Sequence, residues 1–211
     1  MDETLEPKPR DETALLDSPE RLSAFSDAVI AVIITIMVLE LKAPEQPTFA
    51  ALAHLWPTAL SYAVSYLFIA IIWINHHHLM RFVRQPTSRL IWLNFLHLFL
   101  VSLVPFATQW AARSRLESAP VVVWALVFVC IDLAYLAFER AVLAQADTSQ
   151  VPEKAKRLAR LRSLITVAIF SAAGLVALVS PVGGVVLICL ALSFFVRPEA
   201  PGVRLAAPAS T

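Results

Sequence analysis

The sequence predicts an all-α, polytopic membrane protein with six transmembrane helices per subunit. Three observations carry this expectation. The 211 residues are 58% hydrophobic, with a mean hydropathy of +0.70, whereas soluble domains run roughly 45–50% apolar. Apolar stretches near the ~20 residues of a bilayer crossing recur along the whole length. Prolines and charges punctuate the segments between them. Together these leave no room for a soluble catalytic domain.

The first crossing is predicted over about residues 20–42. Ser18 suits the N-cap, Pro19 the first helical position and Glu20 the positive end of the helix dipole. Pro44 and Pro47 end it. The second covers about 56–80, the third about 89–112 and the fourth about 119–141. A fifth at about 160–180 and a short sixth at about 182–197 meet at Ser180-Pro181 as a tight hairpin. Residues 1–17 form an acidic, disordered N-terminus, 18–197 the membrane domain and 198–211 a disordered Pro/Ala-rich tail. Ala146 to Pro152 reads as a linker, and Glu139 and Arg140 as the mark of a helix end at the membrane surface.

Charge sets the orientation. Of the 17 Lys and Arg residues, only Lys42, Arg113 and Arg115 fall in outer loops when the N-terminus is placed inside. The positive-inside rule then puts both termini in the cytoplasm of a cell-membrane protein. A net charge of +1 suggests no nucleic-acid partner. Cys130 and Cys189 both lie in apolar stretches, which disfavours a disulfide framework or a zinc site. The acidic segment ahead of the first apolar run, with no small-residue cleavage site, argues against a cleaved signal peptide.

The first helix carries the informative residues. Arg21, Ser26 and Asp27 stand at or inside the edge of a bilayer, where ionisable groups are costly and face protein or water. At 100° per residue, Val32, Thr35, Ile36 and Leu39 share one stripe, while Asp27 points about 140° from Val32. The stripe is either packed core or the lining of something. Ala24, Ala28 and Ala31 form a small-residue strip beside it, suited to close helix contact. Asp27 and Ser26 need partners. Trp73, Asn75, His76, His77, His78, Asn94 and His97 offer donors, either as a structural knot or as a proton relay. Three consecutive histidines point 100° apart and do not converge on one metal, which wants an i, i+4 pair. Asp132, within the fourth crossing, has no assigned role.

The run R-x-x-x-F-S-D at Arg21–Asp27, with Thr35 and the closing Leu39-Glu40-Leu41, resembles the first helix of the lysosomal potassium-channel family, transmembrane protein 175, in its bacterial branch. W-I-N-H-H-H-L from Trp73, L-N-F-L from Leu93 and V-S-L-V-P-F from Val101 extend the likeness. The resemblance implies a homotetramer whose first helices line a central pore. Val32 would form the narrow point, with Thr35, Ile36 and Leu39 continuing the lining. Arg21, Phe25, Ser26 and Asp27 would be structural, with Arg21, Ser26 and Asp27 bonding with Trp73, His76 and Asn94. It also implies potassium as the permeant ion, no cofactor and no enzymatic activity. Family members often carry isoleucine or leucine at the constriction, so valine implies a wider gate.

Ordinary potassium channels use T-V-G-Y-G loops. The four glycines here, Gly174, Gly183, Gly184 and Gly202, form no such motif, so selectivity would rest on side chains and pore width. A proton-coupled transporter using Asp27, the histidines and Asp132 is the main alternative. The sequence lacks the paired halves and Gly/Pro-broken helices that such transporters show. A non-conducting assembly subunit is a further one. No H-E-x-x-H or G-x-S-x-G motif supports an intramembrane enzyme.

Overall fold

The computed structural model describes residues 18–146 and 151–195, and these form eight helices and no strand. The N-terminal segment, most of the predicted linker and the C-terminal tail lie outside the described residues. Helix α1 (Pro19–Leu39) starts as the sequence predicts: Ser18 Oγ accepts from the Arg21 N–H at 3.4 Å, with Pro19 and Glu20 in the first turn. It stops sooner than residue 42. Glu40 and Leu41 donate to Met37 O and Val38 O, a tighter i→i+3 ending that closes the helix ahead of Pro44.

A short helix, α2 (Phe49–Ala53), capped by Thr48 Oγ1, lies between the first two crossings. Helix α3 (Trp56–Met80) is the second crossing. The third crossing is interrupted. Helix α4 (Ser88–Val101) and helix α5 (Val104–Arg113) flank a turn at Ser102-Leu103. Pro105 is the cause: it has no N–H for the carbonyl four residues back, and its ring crowds that turn. The expectation of no proline-broken helix is therefore corrected. The break is mild, because Ser102 and Leu103 both keep right-handed helical angles.

Helix α6 (Ser118–Leu143) is the fourth crossing, and α7 (Glu153–Ala177) is the fifth. Helix α7 begins before the predicted start near 160, extending past the apolar stretch through a charged turn. Helix α8 (Pro181–Phe195) has 15 residues, a rise of about 22 Å, short of the ~30 Å hydrocarbon core. Five segments, with α4 and α5 counted as one, are long and apolar enough to cross a membrane. The hairpin of α7 and α8 depends on a missing side chain. A Cβ on Gly184 would stand 2.7 Å from Ala177 Cβ and 2.9 Å from Ala173 O, so only glycine lets the two backbones approach this closely.

The core draws on every helix except α2. Phe68 and Phe128 stack at 3.8 Å, and Phe170 meets Phe128 edge-on at 5.3 Å. Polar clamps fix the helices laterally. Trp124 Nε1–H donates to Ser65 Oγ at 2.9 Å, and the Thr108 hydroxyl lies 2.7 Å from the same oxygen. Each such bond stabilises by about 0.6–2 kcal/mol in a membrane. Helix α1 packs against α3, α4 and α5 at the edge of the subunit.

Candidate functional site

Helix α1 divides sharply by face. Ile30, Ile33 and Met37 are 1%, 4% and 2% exposed and pack into the core. On the other side Val32 is 56%, Ile36 43% and Leu39 77% exposed, and Thr35 is exposed with them. Within the subunit the Val32 stripe is thus not packed core. Ala24, Ala28 and Ala31 are also exposed, so the small-residue strip is left open in this subunit. The Thr35 hydroxyl donates to Val32 O at 2.8 Å. Its proton is used inside the helix, and the side chain is exposed.

Two polar contacts tie α1 down near its start. Asn94 Nδ2–H on α4 donates to Ser26 Oγ at 2.9 Å, and Ser26 Oγ donates to Leu22 O at 2.9 Å. Asn94 Oδ1 lies 2.8 Å from His76 Nε2. Because the amide oxygen can only accept, His76 carries its proton on Nε2 in this arrangement. Ser26, His76 and Asn94 are each fully buried, so the chain Ser26–Asn94–His76 links α1, α4 and α3 in a low-dielectric interior where an unmade bond is expensive. One residue on, Asp27 turns toward α3, and Trp73 Nε1–H donates to its Oδ1 at 2.8 Å.

The predicted partners therefore divide into two groups. Trp73 stacks on His77 at 5.4 Å and serves Asp27. His76 points inward, stacked between Phe138 at 5.4 Å and His97 at 5.9 Å. His78 is exposed. Arg21 does not join: its side chain is exposed and makes no hydrogen bond or ion pair with the described residues. At the membrane edge the long guanidinium stem can reach water instead. Phe25 packs on Phe95 at 5.4 Å, a pairing the sequence reading did not identify. His97, named above only as a possible donor, stacks on His76. The signal was present, since Asn94 and His97 stand at i, i+3 and so share a face of α4.

Glu139, near the end of α6, is 7% exposed, with Oε2 accepting from Ser163 Oγ on α7 at 3.2 Å, so it makes a helix contact there. Asp132 is also 7% exposed. Among the described residues no group of three or more His, Cys, Asp or Glu is arranged to hold a metal ion.

Residues 21–105, which cover most of α1, its anchor and the third crossing as far as its break, match the family model of the endosomal/lysosomal potassium channel TMEM175. A potassium channel of Chryseobacterium sp. (strain P1-3) is 39% identical over 134 residues, 63% of this chain and 70% of that protein. The human endosomal/lysosomal proton channel TMEM175 is 31% identical over 150 residues, and this chain spans 30% of its length. The crystal structure of a lysosomal potassium-selective channel TMEM175 homolog from Chamaesiphon minutus superposes with a TM-score of 0.76 at 25% identity, covering 86% of this chain and 98% of that one. The chain is a multi-pass membrane protein and belongs to the TMEM175 family of ion channels, not to a family of enzymes.

Proposed function

We propose that the chain is one subunit of a homotetrameric, potassium-preferring cation channel in the cell membrane, with both termini in the cytoplasm. The observation that carries this reading is the outward stripe of α1. Val32, Thr35, Ile36 and Leu39 form an exposed line on a helix whose opposite face is held by the Ser26–Asn94–His76 chain and the Asp27–Trp73 bond. Four copies of that stripe around an axis make a narrow apolar tube with one ring of hydroxyl oxygens. A ring of Val32 side chains opposes water and gates by dewetting. The Thr35 oxygens, one turn below, stabilise a partly dehydrated cation. Ser26, Asp27, Trp73, His76 and Asn94 hold the pore helix in place, and Phe25 buttresses it on Phe95. The potassium preference is supported by the names of the bacterial relatives.

Proton movement is the second reading, because the vertebrate relatives carry the name proton channel. As a proton-coupled transporter the chain would use Asp27, the histidines and Asp132. Asp27 is, however, engaged by Trp73, and the break in the third crossing remains helical in conformation. Flux from liposomes separates the readings. Purified protein should release potassium down its own gradient, faster than sodium, with no pH gradient imposed, and Val32→Ala should raise the rate. Flux that requires a pH gradient would move the assignment to coupled transport. A Val32→Ala rate equal to that of the parent would remove the constriction from Val32.

A further inference from the structure

A cavity of about 290 Å³ lies away from α1, between α3, α6, α7 and α8. Its walls are Phe68, Ile71, Phe170 and Leu192. That volume and lining, apolar with a few polar groups converging, are those of a small-molecule site.

Asp132 lines this cavity with a carboxylate that no described residue satisfies. It is 7% exposed, and its Oδ2 has no hydrogen-bond partner among the described residues. The other charges facing the space are already engaged or peripheral. Glu139 accepts from Ser163. The Arg162 guanidinium donates to Phe195 O at 3.2 Å and lies over the Phe195 ring at 5.4 Å. The Tyr135 hydroxyl donates to Asn75 O at 3.2 Å. His78 and Arg81 are exposed at the rim. One buried, unpartnered carboxylate at the end of an apolar chamber therefore remains, and a buried carboxylate is stabilised when a cation donates to it.

The cation is organic. A hard metal ion takes six or more oxygen ligands, and among the described residues the acidic groups lining this space are not gathered into a metal-holding cluster. An ammonium needs few acceptors, and its hydrocarbon body fills the space against Phe68 and Phe170. We propose that this cavity binds an amphiphilic ammonium, with the charged nitrogen on Asp132 and the apolar body among Phe68, Ile71, Phe170 and Leu192. The site stands apart from α1, and the proposal does not depend on which ion the protein conducts.

Three matched probes test it by calorimetry on the full-length protein in detergent: 4-phenylbutylamine, 4-phenylbutanol and 4-phenylbutyrate. The amine should bind at least about tenfold tighter than the alcohol, and the near-isosteric Asp132→Asn should lower amine affinity at least about tenfold while leaving the alcohol unchanged. Ala159→Leu, which narrows the chamber and keeps the carboxylate, should weaken amine and alcohol alike. A parent-like elution profile and melting temperature establish that each variant is folded. Three results overturn the proposal: no amine binding to the parent protein, a smaller loss in Asp132→Asn, or butyrate binding tighter than the amine. The last would assign the chamber to an anion held by Arg162.

Discussion

The two faces of α1 obey different rules. The inward face is settled inside one subunit: Ile30, Ile33 and Met37 are buried, and Ser26 is fully buried and bonded. The outward face is left open, with Leu39 77% exposed and Thr35 exposed beside it. Exposure alone does not make a pore. In α7 only 11% of the apolar window is buried, less than the 22% in α1, and Leu161, Leu164 and Ile165 are exposed on it as lipid-facing residues can be. What separates α1 is the contrast across one helix, in which buried polar bonds fix the angle at which an otherwise open stripe is presented. Close control of rotation has a use only if the open face must meet something at a fixed position.

Four substitutions sharpen or break that contrast. Val32→Ala should raise ion flux about tenfold, the equivalent of about 1.4 kcal/mol of barrier, with melting temperature almost unchanged. A large loss of stability and no change in flux would mean that the outward face is packing surface. Gly184→Ala, far from α1, should destabilise the subunit by about 1–3 kcal/mol, because its Cβ meets Ala177 and the Ala173 carbonyl. Measured by thermal unfolding, it calibrates what a purely structural defect does to flux per folded protein, which should stay constant. Asn94→Ala leaves Ser26 and His76 without their partner and should cost about 1–3 kcal/mol. Unlike Gly184→Ala, it should also change flux per folded protein, since it frees the inward face. Trp73→Phe removes the bond to the half-exposed Asp27 and should cost only about 0.5–1.5 kcal/mol. It should alter the flux rate while keeping the ratio of potassium to sodium. A changed ratio would make Asp27 part of the ion path.

Much of this arrangement is readable in the sequence because it rests on angle and cost. Residues 100° apart cannot share a face, so Val32 and Asp27 had to separate, and buried polar groups had to find donors on α3 or α4. The pairing itself was less legible. Nothing local says that Asn94 serves Ser26 and His76 at once, that Trp73 takes Asp27 alone, or that Arg21 takes no part. Those outcomes depend on the relative depth of three helices, which hydropathy does not encode. The break in the third crossing was visible as Pro105 but was overridden by the continuous apolar run around it. The true start of α7 was hidden because charged residues at a membrane edge continue a helix as readily as they end one. Asp132 showed only as a lone acid in an apolar run, and the chamber beside it exists only once α3, α6, α7 and α8 are assembled.

The most direct test compares the two faces of α1 chemically. Single cysteines at Thr35, Ile36 and Ile33, in a background with Cys130 and Cys189 replaced by alanine, are treated with a small cationic thiol reagent during flux. Modification should block conduction through Thr35→Cys and Ile36→Cys and leave Ile33→Cys untouched, because only the outward face meets the ion path. Equal block at all three positions, or block confined to Ile33→Cys, would contradict the assignment of the outward face of α1 as the conducting surface.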